Sequence, residues 1–321
     1  MKKLAICIPV YNDWDSFIVL LKQIDIVFSS TSIATSVAIF AVDDDSHVEP
    51  DWSDVTAKFT AITAIECIHL AANVGHQRAI ALGLCEIYAR KQFDGVLVVD
   101  SDGEDRPEDM HKMFEAFIKN PKVIFVGQRV KRSESYSFQI CYALYKILFR
   151  LFTGKTITFG NFSLVPNTQL SRLVQRPELW NHYAATLLRA RFPLQYLATE
   201  RGHRYAGQST MNMISLIIHG LSAISVFIDF FLARILFATA LIAITSLCLS
   251  VIIFCIKIFT QLAMADWAIA VIAFSSAIFL QSAIFLSVAI FMTLATRSSV
   301  SLPLMSFYKQ FIKKITIIYA G

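Results

Sequence analysis

Two stretches without a charged residue, residues 235–256 and 267–296, constrain what this chain can fold into more than any other feature. An α-helix rises about 1.5 Å per residue, so the first stretch is long enough to cross ~30 Å of hydrocarbon. The second is longer than needed and requires tilt or protrusion. With 55% hydrophobic residues, the chain is also too apolar for an ordinary soluble protein. The sequence therefore predicts two transmembrane helices, beside room for one domain of catalytic size.

The net charge of +5 is unevenly placed, since residues 211–321 hold six Lys and Arg against two Asp and Glu. Positive charge beside apolar spans sets the orientation of the spans in the membrane and attracts anionic lipid. Because the excess charge lies there, we expect no nucleic acid partner. Basic residues lie just before the first span and after the second: Arg234, Arg297, Lys309, Lys313 and Lys314. The positive-inside rule then makes both chain ends cytoplasmic. The six cysteines are scattered, without a C-x-x-C or a His partner at metal spacing, which indicates reduced thiols.

The first 210 residues alternate between short apolar runs and helical patterns. Strands are predicted over residues 4–10, 37–42, 65–70, 95–99 and 123–126. Helices are predicted over residues 15–26, 51–61, 77–91 and 108–119. Such alternation indicates a mostly parallel sheet that is covered by helices on both faces.

Two aspartates follow the predicted strand 95–99 at spacing i, i+2. Asp100 and Asp102 therefore leave the same face of the strand at its carboxyl end, where open α/β sheets bind ligands. Two hard oxygen ligands suit Mg²⁺ or Mn²⁺. The alternative is that these acids only mark a turn before a helix. That alternative explains Asp105 and Glu108, which begin a helix around Pro107, but not the two earlier aspartates.

Similar polar groups follow the other predicted strands, and together they carry a family resemblance. The relevant residues are Ile8-Pro9-Val10-Tyr11-Asn12, Val42-Asp43-Asp44-Asp45-Ser46, Asn73-x-Gly75, Asp100-x-Asp102 with Pro107-Glu108, and Gly127-x-Arg129. In this order they resemble the motifs of family-2 inverting glycosyltransferases with the GT-A fold. With its apolar C-terminal part, the chain is similar to the polyprenyl-phosphate sugar transferases, which include bacterial undecaprenyl-phosphate glycosyltransferases and dolichol-phosphate mannose synthase.

The resemblance implies a nucleotide-sugar donor site, with the Asp43 region around the base and ribose. The implied donor contacts are Pro9, Tyr11, Asn12, Asp43, Asp44, Asp45, Asn73, Gly75, Arg78, Asp100, Ser101, Arg129, Arg201, Arg204 and Ser209. Asp100 and Asp102 would hold the Mg²⁺ or Mn²⁺ on the diphosphate, with Glu104 as a further metal ligand. Arg129 would face phosphate, since a guanidinium binds it in a bidentate manner. Catalytic roles fall to Asp102, Asn161 and Arg129.

One catalytic position departs from the family pattern. Relatives often carry Gly-Asp-Phe-Arg where this chain has Gly160-Asn161-Phe162-Ser163, and their aspartate is commonly proposed as the base. An asparagine cannot accept a proton in that way. A lipid monophosphate has a second pKa near ~6 and is already a nucleophilic anion at neutral pH, so it needs a strong base less than a hydroxyl acceptor does. The asparagine therefore fits a phosphate acceptor better.

Three further segments have predicted roles. Residues 199–209 resemble the family's segment that closes over the diphosphate; the alternative is that its arginines contact lipid headgroups. Residues 135–152 form either a core helix or an interfacial helix whose aromatic side chains enter lipid. Residues 177–190 read as a helix near the acceptor or sugar, in which His182 is a structural hydrogen-bonding residue.

The predicted fold class is α/β, a GT-A (Rossmann-like) mostly parallel sheet followed by interfacial and transmembrane helices. Its parts are a cytoplasmic catalytic domain (1–210), an interfacial helix (211–233), two transmembrane helices (234–297) and a basic cytoplasmic tail (298–321).

The expected activity is metal-dependent transfer of one sugar from a UDP- or GDP-sugar to polyprenyl (undecaprenyl) phosphate. The alternatives are a lipid or polysaccharide hydroxyl acceptor, or an inactive membrane scaffold. We expect a multi-pass protein of the inner (plasma) membrane. The sequence is compatible with either a monomer or a homo-oligomer.

Overall fold

The computed structural model describes residues 2–30, 35–55, 58–129, 136–207, 213–259, 267–298 and 301–321. The chain divides into two compact units. The first unit comprises Met1–Ile147, Lys155–Val226 and Leu302–Gly321, and the second comprises Leu148–Gly154 and Phe227–Ser301.

The described residues form eight strands and nine helices. The strands are β1 (Lys2–Val10), β2 (Thr35–Asp43), β3 (Ile62–Leu70), β4 (Gly95–Val98), β5 (Ile124–Arg129), β6 (Ser163–Pro166), β7 (Leu194–Thr199) and β8 (Ile312–Ala320). The helices are α1 (Trp14–Ser29), α2 (His76–Arg90), α3 (Pro107–Lys119), α4 (Tyr136–Thr153), α5 (Asn167–Leu173), α6 (Tyr183–Arg189), α7 (Met213–Ser225), α8 (Ile228–Phe259) and α9 (Trp267–Ser298). Short 3₁₀ turns lie between some of them.

All eight strands belong to one mixed sheet with the order β7-β5-β6-β4-β1-β2-β3-β8. The four neighbours β4, β1, β2 and β3 are parallel, as the sequence predicts. Strand β6 runs antiparallel to β4 and β5, β7 is parallel to β5, and β8 is antiparallel to β3. The carboxyl ends of the four central strands therefore meet at one edge of the sheet.

Helices cover both faces of the central strands, because strand side chains alternate between the faces. Leu4 and Ile6 of β1 join the main core with apolar side chains of α1 and α3. Cys7 points to the other face, where α2 packs so closely that a Cβ on Gly83 would lie 2.6 Å from the Cys7 Sγ. The buried strands and the two-sided covering confirm the predicted α/β class.

The predicted helix over residues 51–61 is wrong. The described part of this segment contains only a 3₁₀ turn, Trp52–Val55. Asp25 of α1 explains why the following backbone is extended: its Oδ1 accepts hydrogen bonds from the amides of Thr60 (3.0 Å), Ala61 (2.7 Å) and Ile62 (3.0 Å). These amides cannot then point along a helix, and the chain enters β3.

The predicted C-terminal tail is also corrected. Residues 312–320 form β8, which pairs with β3 from Ala64↔Ala320 to Leu70↔Ile312 and belongs to the first unit. The lysines Lys313 and Lys314 suggested a charged tail, but an edge strand tolerates charged side chains. Strands β6 and β7 were likewise not predicted.

The second unit contains α8 and α9, which are long and apolar enough to cross a membrane. Large apolar side chains on both helices are exposed, among them Phe237 (73%) and Phe291 (72%). Small residues are buried instead, and Ser250 Oγ lies 2.6 Å from Ser275 Oγ on the other helix. Gln281 of α9 is exposed. Small residues let helix backbones approach closely, which explains why small residues lie between α8 and α9.

Candidate active site

The residues that follow the central strands gather at their carboxyl edge. After β1, the backbone amide of Asn12 donates to Ser46 Oγ (3.0 Å), and Asn12 Oδ1 accepts the amide of His47 (2.8 Å). Asn12 and Asp45 both have positive φ angles, 53° and 61°. Asparagine and aspartate tolerate this left-handed conformation better than most residues. The segment after β1 and the segment after β2 are therefore tied together.

Asp44 holds the loop that begins α2. Its carboxylate accepts the amides of Val74 (2.7 Å) and Gly75 (2.9 Å), and its carbonyl accepts Asn73 Nδ2 (3.1 Å). Burial raises the pKa of Asp44, and the two amides oppose that rise. Gly75 has a φ of 90° directly before α2, which explains why a glycine stands there. The predicted residues Asp44, Asn73 and Gly75 are thus brought together, and their hydrogen bonds hold the loop in shape.

The centre of the site is a group of five acidic residues that we name the carboxylate cluster: Asp13, Asp100, Asp102, Glu104 and Asp105. Arg204 bridges Asp102 Oδ2 (3.1 Å) and Asp13 Oδ2 (3.0 Å). Arg129 contacts Glu104 Oε2 (3.1 Å) and Asp105 Oδ1 (3.3 Å), and Arg201 contacts Glu104 Oε1 (2.7 Å). Of the predicted arginines, Arg204 therefore lies at the predicted Asp102, and Arg129 and Arg201 lie at the predicted Glu104.

The carboxylate cluster carries two more formal negative charges than its three arginines balance. Burial, then the charge of Asp100, raises the pKa of Asp102 to about 6, and the same two causes raise that of Asp105 to about 7. Burial also opposes ionisation of Asp100 and is the largest single effect, but the charge and hydrogen bond of His76, together with the charge of Arg129 and a hydrogen bond from Asn161, lower the pKa of Asp100. A divalent cation relieves this repulsion, so the donor set fits Mg²⁺ or Mn²⁺ held by Asp100 and Asp102.

The segment after β7 folds onto the cluster. The amide of Gly202 donates to the Glu104 carbonyl (2.9 Å), and the amide of Tyr205 donates to the Asp102 carbonyl (3.0 Å). The Tyr205 ring covers Gly103, whose φ is 86°, so that a Cβ there would overlap the ring. This segment was expected near the diphosphate. Ser209, its last predicted contact, lies outside the described residues.

Asn161 lies beside the cluster in a chain of hydrogen bonds. Gln77 Oε1 accepts the amide of Tyr183 (2.8 Å), so Gln77 Nε2 donates to Asn161 Oδ1 (3.0 Å). Asn161 Nδ2 then faces His76 Nε2 at 3.0 Å. His76 Nε2 in turn lies 3.1 Å from Asp100 Oδ1. The predicted site residues did not include His76 or Gln77, although they directly follow Gly75. They did not include Asp13 or Asp105 either.

The remaining predicted contacts lie around this centre. Ser101 Oγ donates to Asp13 Oδ2 (3.2 Å), Pro9 is buried within β1, and Tyr11 is exposed. The Arg78 guanidinium lies over the Trp180 ring, 4.8 Å from its centroid.

His182 begins α6 as expected of a structural residue. Its Nδ1 accepts the amide of Ala185 (3.4 Å). The ring proton is therefore on Nε2, which lies 3.3 Å from His219 Nε2. Burial lowers the pKa of His182 to about 3, with the charge of His219 as the next cause. His182 thus remains neutral.

Cys67 is a free, buried cysteine with a histidine as its neighbour. Its Sγ lies 3.9 Å from His69 Nδ1, because both residues are on β3 at spacing i, i+2. His69 Nδ1 is also 3.0 Å from Asp43 Oδ2.

Comparison with known proteins identifies the domain. Residues 5–164, which extend from β1 into β6 and contain all five residues of the carboxylate cluster, match the family described as "Glycosyl transferase family 2". The chain carries a glycosyltransferase family 2 domain. It is a glycosyltransferase, as the motifs indicated, and its sheet with two long apolar C-terminal helices agrees with the predicted GT-A class.

Two curated relatives are similar over most of this glycosyltransferase. "Uncharacterized glycosyltransferase YkoT" of Bacillus subtilis is 24% identical over 70% of this chain and 68% of its own length. "Uncharacterized glycosyltransferase sll0501" of Synechocystis sp. is 23% identical over 65% of this chain and 64% of its own length. Among solved structures, glucosyl-3-phosphoglycerate synthase from Mycobacterium tuberculosis, in complex with Mn²⁺, UDP-glucose and phosphoglyceric acid, is 12% identical with a TM-score of 0.48, over 73% of this chain and 79% of that one.

Proposed function

We propose that this glycosyltransferase moves one sugar from a UDP- or GDP-sugar to a polyprenyl phosphate, with inversion at the anomeric carbon. The observation that carries the proposal is the hydrogen bonding of the Asn161 side chain. Its Oδ1 accepts from Gln77 and its Nδ2 faces His76, so this side chain offers a hydrogen-bond donor and no base. An acceptor that is already an anion needs no base there.

The donor end of the site is the carboxylate cluster. Asp100 and Asp102 would hold the Mg²⁺ or Mn²⁺, which would supply positive charge to offset the charge of the donor diphosphate. Both oxygens of Glu104 already face arginines, so Glu104 anchors Arg129 and Arg201 more than it serves as a metal ligand. Arg129, Arg201 and Arg204 carry the guanidinium groups that bind the diphosphate oxygens.

The reaction requires no proton transfer. An oxygen of the lipid phosphate attacks the anomeric carbon from the face opposite the diphosphate, and the bond between that carbon and the diphosphate oxygen breaks. The nucleoside diphosphate leaves with the bonding electron pair, and the sugar becomes a phosphodiester of the lipid. Asn161 orients the attacking phosphate through its N–H groups.

Two features support a membrane location. The exposed apolar surfaces of α8 and α9 suit hydrocarbon. Strand β8 follows both helices and pairs with β3, so the chain returns to the catalytic unit after an even number of crossings. Arg234, Lys309, Lys313 and Lys314 place both ends on the cytoplasmic side by the positive-inside rule. We infer an inner-membrane enzyme whose donor site shares a compartment with nucleotide-sugars.

Helix α4 favours the interfacial alternative over the core alternative. In its described part Ile147, Leu148 and Leu151 are exposed, whereas Phe149 is buried. An exposed aliphatic face on this helix suits contact with lipid, as a lipid-linked acceptor requires.

The test is transfer of labelled sugar to undecaprenyl phosphate by membranes that contain the full chain, with a panel of UDP- and GDP-sugars. We expect one labelled lipid that disappears with EDTA and with Asp102→Asn. Glu115→Gln, an exposed acid on α3, is the matched control and keeps activity. Product from diacylglycerol or a polysaccharide but not from the lipid phosphate would favour the hydroxyl-acceptor alternative. No nucleotide binding in the presence of Mn²⁺ would favour an inactive scaffold.

A further inference from the structure

A hydrogen-bonded row of side chains crosses three strands at the donor side of the site. Asp43 ends β2, His69 lies opposite it on β3, and Thr316 lies on β8. His69 Nδ1 is 3.0 Å from Asp43 Oδ2, and His69 Nε2 is 3.2 Å from Thr316 Oγ1. The segment that follows the two apolar helices therefore reaches a residue of the implied nucleoside site.

The partners fix the direction of each hydrogen bond. An ionised carboxylate only accepts, so His69 Nδ1 donates to Asp43. In the tautomer that carries its proton on Nδ1, His69 Nε2 accepts a hydrogen bond from the Thr316 hydroxyl. Asp43 Oδ1 accepts the amide of Ser46 (3.0 Å). Both carboxylate oxygens are thus held in place from one side by the protein.

The held carboxylate keeps capacity for a ligand. Each oxygen has a second acceptor site, and the Asp43 side chain remains 12% exposed. A ligand group that binds there must be a donor, such as a base N–H or a ribose hydroxyl. A fixed orientation lowers the entropy that a ligand must overcome to bind this carboxylate.

The same residues, with Cys67, could be considered a metal site, because one ligand atom from each lies within 4.8 Å of the others. The chemistry opposes it. Burial raises the pKa of the Cys67 thiol to about 12, with the charge of Asp43 as the next cause, so a cation would first have to displace the proton of a buried thiol. Both ring nitrogens of His69 are already in hydrogen bonds. The row therefore serves an organic ligand better than a cation.

We propose that His69 and Thr316 are positioning residues that hold Asp43 for the nucleoside of the donor, so that β8 is a working part of the donor site. The inference rests on the proposed nucleotide-sugar donor. It gives the C-terminal strand a role in donor affinity beyond completing the sheet.

The test compares variants of the full chain by calorimetric binding of UDP and GDP with Mn²⁺, and by donor KM and kcat. Thr316→Val removes one hydroxyl at nearly constant shape, and we expect donor KM to rise about threefold to tenfold with kcat little changed. His69→Leu should raise KM by at least about tenfold. His69→Asn retains an N–H that can reach Asp43 and should restore most of the affinity. Thr63→Val, at the other end of β3, is the matched control and should leave KM unchanged.

Three results would overturn the proposal. The first is nucleotide binding by Thr316→Val and His69→Leu that equals that of the wild type. The second is an equal loss in His69→Leu and His69→Asn, which indicates a general packing defect. The third is stoichiometric Zn²⁺ that is lost in Cys67→Ser together with donor affinity. A wild-type chain that binds neither nucleotide contradicts the proposed donor itself, which separates that failure from the failure of this inference.

Discussion

At the scale of single residues, the site depends on how neutral side chains orient one another around the charges. Gln77 is fixed by the amide of Tyr183, and it in turn fixes the amide of Asn161. This order decides that Asn161 presents N–H groups toward His76. A carboxamide that could rotate freely would present its oxygen half of the time and repel an acceptor anion.

Replacing Gln77 should therefore affect turnover more than donor binding. In Gln77→Leu the Asn161 carboxamide loses its fixed orientation, and we expect kcat to fall roughly tenfold. Calorimetric UDP or GDP affinity should stay within about twofold, since the hydrogen bonds of Gln77 are with Asn161 and Tyr183, which are not part of the carboxylate cluster. The control Gln169→Leu removes a half-buried glutamine outside the site, which donates to the Lys122 carbonyl. A fall in nucleotide affinity as large as the fall in kcat would contradict this role.

His182 gives the catalytic unit a defined sensitivity to acid. The unfolded chain takes up a proton on this side chain below its ordinary pKa of 6.5, whereas the folded chain does not until about 3. Stability is therefore lost as the pH falls through 6.5. Between pH 7.5 and 5.5 we expect a loss of about 1.4 kcal/mol in the free energy of unfolding.

The variant His182→Asn isolates this effect. Asparagine can still cap the Ala185 amide but does not ionise. Thermal unfolding in detergent at both pH values should show a smaller acid loss in the variant than in the wild type. An equal loss in both proteins would show that His182 does not remain neutral in the folded state.

At the scale of elements, the sequence identified what local pattern determines and missed what distant partners determine. Strands β1 to β4 are buried apolar runs of the kind that parallel sheets require, so the predicted edge and most of its polar residues were found. Strand β8 is charged and pairs with a strand that lies more than 240 residues earlier, and no local pattern carries that information. His69 was missed for the same reason, since its partners Asp43 and Thr316 come from two other strands.

Asp25 shows how one side chain can override helical pattern, and it offers a prediction. Its carboxylate accepts the amides of three successive residues before β3. Asp25→Ala leaves those amides without their acceptor, and we expect a loss of about 2 kcal/mol in the free energy of unfolding. Asp15→Ala on the same helix should cost only a few tenths of a kcal/mol. Similar unfolding midpoints for the two variants would contradict the assigned role of Asp25.

At the scale of the whole molecule, the chain leaves its catalytic unit, forms two apolar helices and returns as β8. The pairing of β8 with β3 requires both chain ends to be on one side if the helices cross a bilayer. Small residues lie between α8 and α9, and a Ser250–Ser275 hydrogen bond joins the two helices. This organisation suits an enzyme that meets a soluble donor and a lipid acceptor.

The topology can be tested with alkaline phosphatase, which is active only outside the cytoplasm. We expect activity when it is inserted within residues 260–266 and none when it follows Gly321, because basic residues flank the spans on the catalytic side. Green fluorescent protein at the same two positions is the matched control and should give the opposite pattern. Phosphatase activity at the C-terminus would reverse the proposed orientation.

The most direct test of the central claim is a side-by-side acceptor measurement with the purified full chain in nanodiscs. Equal amounts of undecaprenyl phosphate, undecaprenol and diacylglycerol are incubated with the enzyme, the active donor and Mn²⁺. The masses of the lipid products are then measured by mass spectrometry. We predict a product only from undecaprenyl phosphate, with the mass of one added sugar and no added phosphate. A glycosylated undecaprenol or diacylglycerol, with undecaprenyl phosphate unchanged, would contradict the account.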